Sequence, residues 1–339
     1  MLRVIDANIN RLNEGLRLLE DVARFLLDNA DISTRLKSLR HELSASVSPM
    51  HAALLSARDA AGDVTAFADE DMVRDDVPAI VAANARRATE SLRVLEEFAK
   101  LPGSGLNPQV FKRARFAVYQ IERDLMGKVL RRDKKIAGLY VIIDTEMLGD
   151  KDEVDTCQQA IRGGASVIQL RDKKRDRLDV LKSARRLSET CARSNVLLIV
   201  NDFVDVAIAA DACGVHLGEH DLPIVESRCL LPIDKLIGRS TRTVEQAKQA
   251  ENDDADYIAV GSMYPTKSKE SFTVVGLERL RQIREAVSLP IVAIGGINAE
   301  NVADVVAAGA DGVAVISAVL AADDVEKAAR ELSGRMEAT

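Results

Sequence analysis

Ser166-Val-Ile-Gln-Leu-Arg-Asp-Lys173 is the stretch whose reading decides the fold. Its first half is apolar and β-branched, the pattern of a strand buried on both faces of a parallel sheet. Gln169, Arg171 and Lys173 then alternate, so in an extended chain all three project from one face. A strand that stays apolar to its carboxyl end and then presents an amide, a guanidinium and an ammonium is suited to hold an anion. In a parallel α/β barrel that end carries the active site.

Working outward, the same strand, turn and helix grammar repeats from Ala137 onward. Strands are expected at 137–143, 166–171, 196–201, 213–217, 236–240, 256–261, 290–295 and 311–317, with helical patterns such as Leu178–Arg193, Thr243–Asn252, Gly276–Val287 and Ala299–Ala308 between them. Eight such units in about 200 residues predict an α/β fold of the (β/α)8 TIM-barrel type. A doubly wound open sheet is the alternative. It is disfavoured because no Gly-x-Gly-x-x-Gly follows the first strand.

Residues 1–134 follow a different grammar, and we expect an all-helical N-terminal domain there, with the barrel over 135–339. Leu12, Leu16, Leu19, Ala23 and Leu26 recur at helical steps, and helices are expected at 3–28, 32–60, 76–101 and 108–131, with a turn at Gly62-Asp63. Asn8, Arg11, Glu14, Arg17 and Glu20 are matched by Asn84, Arg87, Glu90, Arg93 and Glu96, and Lys37 and Arg40 more weakly by Lys112 and Arg115. Two repeated helical hairpins account for the match. The polar positions read either as surface pairs three residues apart, Arg11–Glu14 and Arg17–Glu20, or as a buried network or ligand site between the hairpins.

Composition narrows the functional classes. The hydrophobic share of 47% supplies a full core, and with no Trp and 3% aromatic residues that core must be aliphatic. A net charge of −7, without a basic stripe interleaved with aromatics, argues against a nucleic-acid partner. Cys157, Cys191, Cys213 and Cys229 form no Cys-x-x-Cys pair and read as reduced thiols. Residues 1–30 are charged throughout, which argues against a signal peptide, and no apolar run is long enough to cross a membrane. The expectation is a cytoplasmic protein acting on small molecules, compatible with a homo-oligomer.

The strand ends turn polar in a consistent way. Asn201-Asp202 follows the third strand, and His216-Leu-Gly-Glu-His-Asp221 spans the fourth. Gly238-Arg-Ser240 closes the fifth, and Tyr264-Pro-Thr-Lys-Ser-Lys269 follows the sixth. Asp202 and Asp221 beside a cationic cluster suit Mg²⁺, which takes carboxylate and phosphate oxygens and keeps part of its water. Taken singly, either Asp could be a helix N-cap. His216 and His220 lack a third converging His or Cys and read as packing or surface residues rather than metal ligands. Gly295-Gly296 after strand seven and Ile316-Ser317 after strand eight read as a phosphate cup, where glycine lets the backbone approach closely.

These motifs, in this order over about residues 136–335, resemble the thiamine-phosphate synthase family. The resemblance implies that Gln169, Leu170, Arg171, Asp172, Lys173, Asn201, Ser240 and Lys269 bind a hydroxymethylpyrimidine diphosphate, with Arg171, Lys173, Ser240 and Lys269 catalytic. It implies Asp202 and Asp221 as Mg²⁺ ligands, and Thr266, Lys267, Ser268, Gly296, Ile316 and Ser317 around a thiazole phosphate, which could also be the carboxylated form. Glu219 stands where the family usually has Gln, Arg242 where it has His, and Ser268 where a second Thr is common. The implied chemistry is a Mg²⁺-assisted dissociative substitution. The diphosphate leaves the pyrimidine methylene and the thiazole nitrogen takes its place, a reaction that needs no general base to make its nucleophile. A barrel thiazole tautomerase and a non-catalytic sensor of a phosphorylated metabolite are the alternatives. The helical part resembles an extension fused to some members and linked to phosphorylation of the pyrimidine monophosphate. The residues themselves offer no kinase signature, and a structural or dimerising role is the expectation ahead of it.

Overall fold

Eight aliphatic runs become eight parallel strands in the computed structural model, which describes residues 1–58, 74–265 and 274–338. They are β1 (Gly138–Asp144), β2 (Ala165–Arg171), β3 (Leu197–Asn201), β4 (Gly214–Leu217), β5 (Leu236–Thr241), β6 (Tyr257–Gly261), β7 (Ile291–Ile294) and β8 (Gly312–Val315). Each pairs in parallel with the next, and β8 returns to β1, closing the barrel. The fold is a (β/α)8 barrel preceded by a helical region.

Alternation along each strand separates two cores. Tyr140, Ile142, Val167, Ile199, Leu236, Tyr257, Ala259, Val292 and Ala314 fill the barrel interior. Val141, Ile143, Ile168, Leu170, Val200, Val215 and Ile237 face the surrounding helices. Burial of such a side chain contributes roughly 1.5–3 kcal/mol, so a one-residue slip of any strand would exchange the two sets at prohibitive cost. Tyr140 and Tyr257 are the bulkiest fully buried side chains, and Tyr257 fits because its neighbour on β5 is glycine. A Cβ on Gly238 would lie 2.1 Å from the Tyr257 ring carbon Cζ.

Two strands end earlier, and one helix starts later, than the sequence pattern suggests. β7 stops at Ile294 because Gly295 turns to φ 104°. The run expected at 311–317 ends at Val315, and Ser317 begins the short helix Ser317–Leu320. The helix expected from Ala299 starts at Val302, because Asn298 and Asn301 side chains take the N–H groups of Glu300 and Asn298.

The chain divides into two compact units, Met1–Asp133 and Lys134–Thr339. The first contains α1 (Leu2–Asp21), α2 (Ala30–Val47), α3 (His51–Ser56), α4 (Val77–Ala99) and α5 (Pro108–Arg131). The helix expected at 3–28 is α1 followed by a π-helical turn, Val22–Leu26. The helix expected at 32–60 is broken into α2 and α3 by a turn at Ser48-Pro49-Met50, where proline cannot continue the hydrogen-bond ladder. The turn expected at Gly62-Asp63 lies outside the described residues.

The repeated polar residues resolve into buried pairs, as in the network reading, but within each hairpin rather than between the two. Nε and Nη2 of Arg40 both donate to Glu20 Oε2, at 3.0 and 2.6 Å. Nε and Nη2 of Arg115 donate to Glu96 Oε2 in the same way, at 3.3 and 3.0 Å. Both glutamates are buried, so each hairpin is stapled between its own two helices by the same grip. Arg17 pairs with Asp21 rather than Glu20, at 3.3 Å, whereas Arg93 does reach Glu96, at 3.2 Å.

Gly238→Ala should destabilise the protein by about 1–3 kcal/mol, the usual cost of overpacking a close-packed core. Urea denaturation followed by circular dichroism checks it; an unchanged midpoint would mean that Tyr257 does not occupy the space a Cβ needs.

Candidate active site at the carboxyl rim of the barrel

The inward parity of β2 delivers Gln169 and Arg171 to the carboxyl end of the barrel, as the alternation requires. Gln169 is buried and its Nε2 donates to the Tyr140 hydroxyl at 2.7 Å. Arg171 is held by Asp144, the last residue of β1, whose other oxygen Oδ1 caps the turn that follows by accepting from Glu146 N at 3.1 Å. Lys173 lies just past the strand, with Nζ 3.3 Å from Asp202 Oδ2.

Two residues that the resemblance assigns to the diphosphate have side chains turned the other way. Leu170 packs in the layer between strands and helices. Asp172 is buried, accepts the N–H groups of Lys174 and Arg175 at 3.0 Å each, and pairs with the Arg175 guanidinium. Both belong to the outward parity of β2, so the Asp172 carboxylate organises the loop rather than the rim, and Leu170 can offer a ligand only its backbone.

Asp202 and Asp221 follow the paired strands β3 and β4. Asp202 adopts a left-handed φ of 63°, with its N–H donating to His216 O at 2.8 Å. The next helix, Val204–Ala209, begins after Phe203 and has no side-chain cap, so Asp202 is not its N-cap. Asp221 Oδ2 accepts from Gly218 N at 2.6 Å, and the helix Ile224–Leu230 starts from Pro223, again uncapped by a side chain. Both carboxylates are thus spared from helix capping. Burial and the hydrogen-bonded Asp221 carboxylate push the Asp202 proton affinity up to about 6, against the lowering pull of Lys173. Two neighbouring carboxylates, one of them with a raised proton affinity, have the donor set that a small hard dication accepts.

Across the rim, Gly295 and Gly296 adopt φ 104° and 68° and lie against the segment after β6. A Cβ on Gly295 would meet Ser262 Oγ at 2.0 Å, and one on Gly296 would meet Pro265 O at 2.7 Å. Asn301 Nδ2 closes the turn by donating to Gly296 O at 3.1 Å. Ile316 and Ser317 stand one strand over, at the start of the short helix after β8. Thr266, Lys267, Ser268 and Lys269 lie outside the described residues.

Ser240, exposed at the end of β5, is 3.0 Å from His216 Nε2. His216 is buried and its Nδ1 lies 3.1 Å from the Tyr257 hydroxyl, so it packs inside the barrel and also touches a candidate site residue. Sequence reasoning passed over Asp144, Tyr140 and Tyr257. The signal was available: Tyr140, Ile142 and Asp144 share one parity on β1, just as Val167, Gln169 and Arg171 do on β2. Two of the three residues read as departures from the family pattern, Glu219 and Arg242, are one contact, with Arg242 Nη1 2.9 Å from Glu219 Oε2.

A closed barrel with an acidic pair, basic side chains and a glycine-lined turn on one rim is the plan of an enzyme that acts on phosphorylated small molecules. Residues 139–319 match the family model for thiamine monophosphate synthase, and residues 3–124 match the ThiD2 family. The thiamine-phosphate synthase of Synechocystis sp. is 38% identical over 335 residues, covering 97% of this chain and 94% of the relative. That of Nostoc sp. strain PCC 7120 is 38% identical over 330 residues, covering 95% and 90%. A solved thiamine phosphate pyrophosphorylase from Pyrococcus furiosus is 42% identical, with a TM-score of 0.55 over 60% of this chain and 96% of that one. The chain belongs to the thiamine-phosphate synthase family.

The raised proton affinity of Asp202 has a stability consequence. Its folded value of about 6 exceeds the ordinary 3.8, so the folded state binds the proton more tightly than the unfolded chain. Metal-free stability should therefore decline as pH rises from about 4 to 6. Asp202→Asn should flatten that decline and raise the melting temperature at pH 7.5 in EDTA. Scanning calorimetry across this range checks it, and a variant less stable than wild type at pH 7.5 would contradict the raised proton affinity of Asp202.

Proposed function

We propose that the barrel condenses 4-amino-2-methyl-5-(diphosphooxymethyl)pyrimidine with 4-methyl-5-(2-phosphoethyl)thiazole to give thiamine phosphate and pyrophosphate. The observation that carries this reading is the facing pair Asp202 and Asp221, beside Lys173 and on the same rim as the Gly295–Gly296 turn, in a chain of this family. A tautomerase has no use for a dication-ready acidic pair beside a lysine.

In the reaction the bond between the methylene carbon and the diphosphate oxygen breaks, the electron pair leaves with the diphosphate, and the thiazole nitrogen supplies the pair for the new C–N bond. The electron-rich aminopyrimidine spreads the positive charge between the two events. Arg171, fixed by Asp144, and Lys173 meet the departing negative charge, with Lys269 assigned to the same task by the family motif. Asn201 and Ser240 orient the diphosphate, and the Gln169 amide addresses the pyrimidine. Gly296, Ile316 and Ser317 hold the thiazole phosphate through backbone N–H groups, joined by Thr266, Lys267 and Ser268, and so bring the nitrogen into line. Mg²⁺ held by Asp202 and Asp221 would neutralise diphosphate charge as it builds. The nucleophile carries a free lone pair, so no side chain needs to act as its base.

Pyrophosphate release from the two substrates tests the proposal. Asp202→Ala and Lys269→Ala should each lower turnover by roughly a hundredfold or more, the scale of losing one charge-stabilising group, while circular dichroism stays native. Near-wild-type rates at saturating Mg²⁺ would remove those residues from the assigned roles. Because protons compete for Asp202, the rise in melting temperature on adding Mg²⁺ should be larger at pH 7.5 than at pH 5.5 and should vanish in Asp202→Asn. Equal shifts at both pH values would place the cation elsewhere.

A further inference from the structure

Four hydrogen bonds cross the barrel interior from β2 to β5. Gln169 Nε2 donates to Tyr140 OH at 2.7 Å, Tyr140 OH lies 3.1 Å from Tyr257 OH, Tyr257 OH lies 3.1 Å from His216 Nδ1, and His216 Nε2 lies 3.0 Å from Ser240 Oγ. Gln169, Tyr140, Tyr257 and His216 are all buried. Burial raises the pKa of both phenols, so each carries its proton. The glycine at position 238 leaves the room that Tyr257 needs to stand in this line.

The order of the protons follows from the inventory of donors. An amide nitrogen only donates, so the Tyr140 oxygen accepts and has its single proton left for Tyr257. Tyr257 accepts that bond and gives its own proton to His216 Nδ1. An imidazole that accepts at Nδ1 is neutral with its proton on Nε2, which then donates to Ser240 Oγ. The Ser240 hydroxyl proton is thereby turned outward, as a donor at the rim. Rotating the Gln169 amide by a half turn would reverse all four bonds and tie the Ser240 proton to His216. The chain therefore has two orders, and one of them presents an acceptor, Gln169 Oε1, at β2 together with a donor at β5.

We infer that Tyr140, Tyr257 and His216 are positioning residues that lock Gln169 and Ser240 into complementary hydrogen-bonding roles, so that a ligand offering an amine at β2 and an anionic oxygen at β5 is matched at both ends at once. An aminopyrimidine diphosphate has both groups. The ligand half of this inference rests on the synthase reading; the proton order does not.

The test uses the full chain labelled with ¹⁵N in its imidazoles, with the His216 signals identified by their loss in His216→Asn. Wild type should show His216 protonated at Nε2 and bare at Nδ1. Tyr140→Phe, which removes a hydroxyl that bonds Gln169 and Tyr257 and not the imidazole, should turn this into a mixture of tautomers, and Tyr257→Phe should do the same. Each variant should lose roughly tenfold in kcat/KM for the pyrimidine diphosphate, the scale of one or two net hydrogen bonds, with KM for the thiazole phosphate within about twofold. The double variant should be no worse than about twofold below the weaker single variant, because each breaks the same chain. His216 protonated at Nδ1 in the wild type, a tautomer unmoved by Tyr140→Phe, or losses that multiply in the double variant would each overturn the inference. A wild-type protein that releases no pyrophosphate would instead remove the synthase reading, and the tautomer measurement would still decide the proton order.

Discussion

The structure turns on two like charges kept close together. Asp202 and Asp221 follow adjacent strands of a closed barrel, and burial together with the neighbouring Asp221 carboxylate raises the proton affinity of Asp202 above that of an isolated carboxyl. The left-handed backbone at Asp202 and the Gly218 N–H held by Asp221 fix both groups before any ligand arrives. Preorganisation of this kind costs folding stability, which binding of a dication would return. The basic side chains beside the pair have a matching logic: Lys173 is balanced by Asp202 and Arg171 by Asp144. On the proposed reading, an arriving diphosphate with its metal ion would exchange partners with these groups without leaving a buried charge uncompensated.

The barrel supplies this arrangement through strand parity. Inward positions carry both aliphatic side chains and the polar line of Tyr140, Gln169, His216, Ser240 and Tyr257, while outward positions meet the helices. The consequence is that a hydrogen-bonded line crosses an otherwise aliphatic barrel interior. Such a line must be fully satisfied to be tolerated, and each member here has a partner within 3.1 Å.

Much of this was legible in the chain itself. The closed eight-stranded barrel followed from eight apolar runs at regular spacing, and the rim positions of Gln169, Arg171, Asp202 and Asp221 followed from the points where those runs turn polar. What escaped has identifiable physical causes. Asp144 and the two tyrosines are linked to site residues through contacts 27 to 117 residues apart in sequence, which no local pattern announces, although parity on β1 pointed to Asp144. Leu170 and Asp172 were carried into the site with their neighbours, and the same parity sends their side chains out of it. In the helical domain the repeat revealed that Glu20 and Glu96 were special. Their partners, Arg40 and Arg115, sit on the next helix, about 20 residues away, and so the pairing needed the hairpin geometry to be seen. The Pro49 break between α2 and α3 was readable and was overridden by the surrounding helical periodicity.

On the proposed function, Asp202 and Asp221 form one dication site that receives a diphosphate. Calorimetric titration of inorganic pyrophosphate into the full chain tests it most directly, with Mg²⁺ and with EDTA, in wild type and in the Asp202→Asn/Asp221→Asn variant. The account predicts binding at least a hundredfold tighter with Mg²⁺ in wild type (roughly 2.7 kcal/mol) and no Mg²⁺ dependence in the variant. Pyrophosphate binding of equal strength with and without Mg²⁺ in the wild-type protein would contradict it.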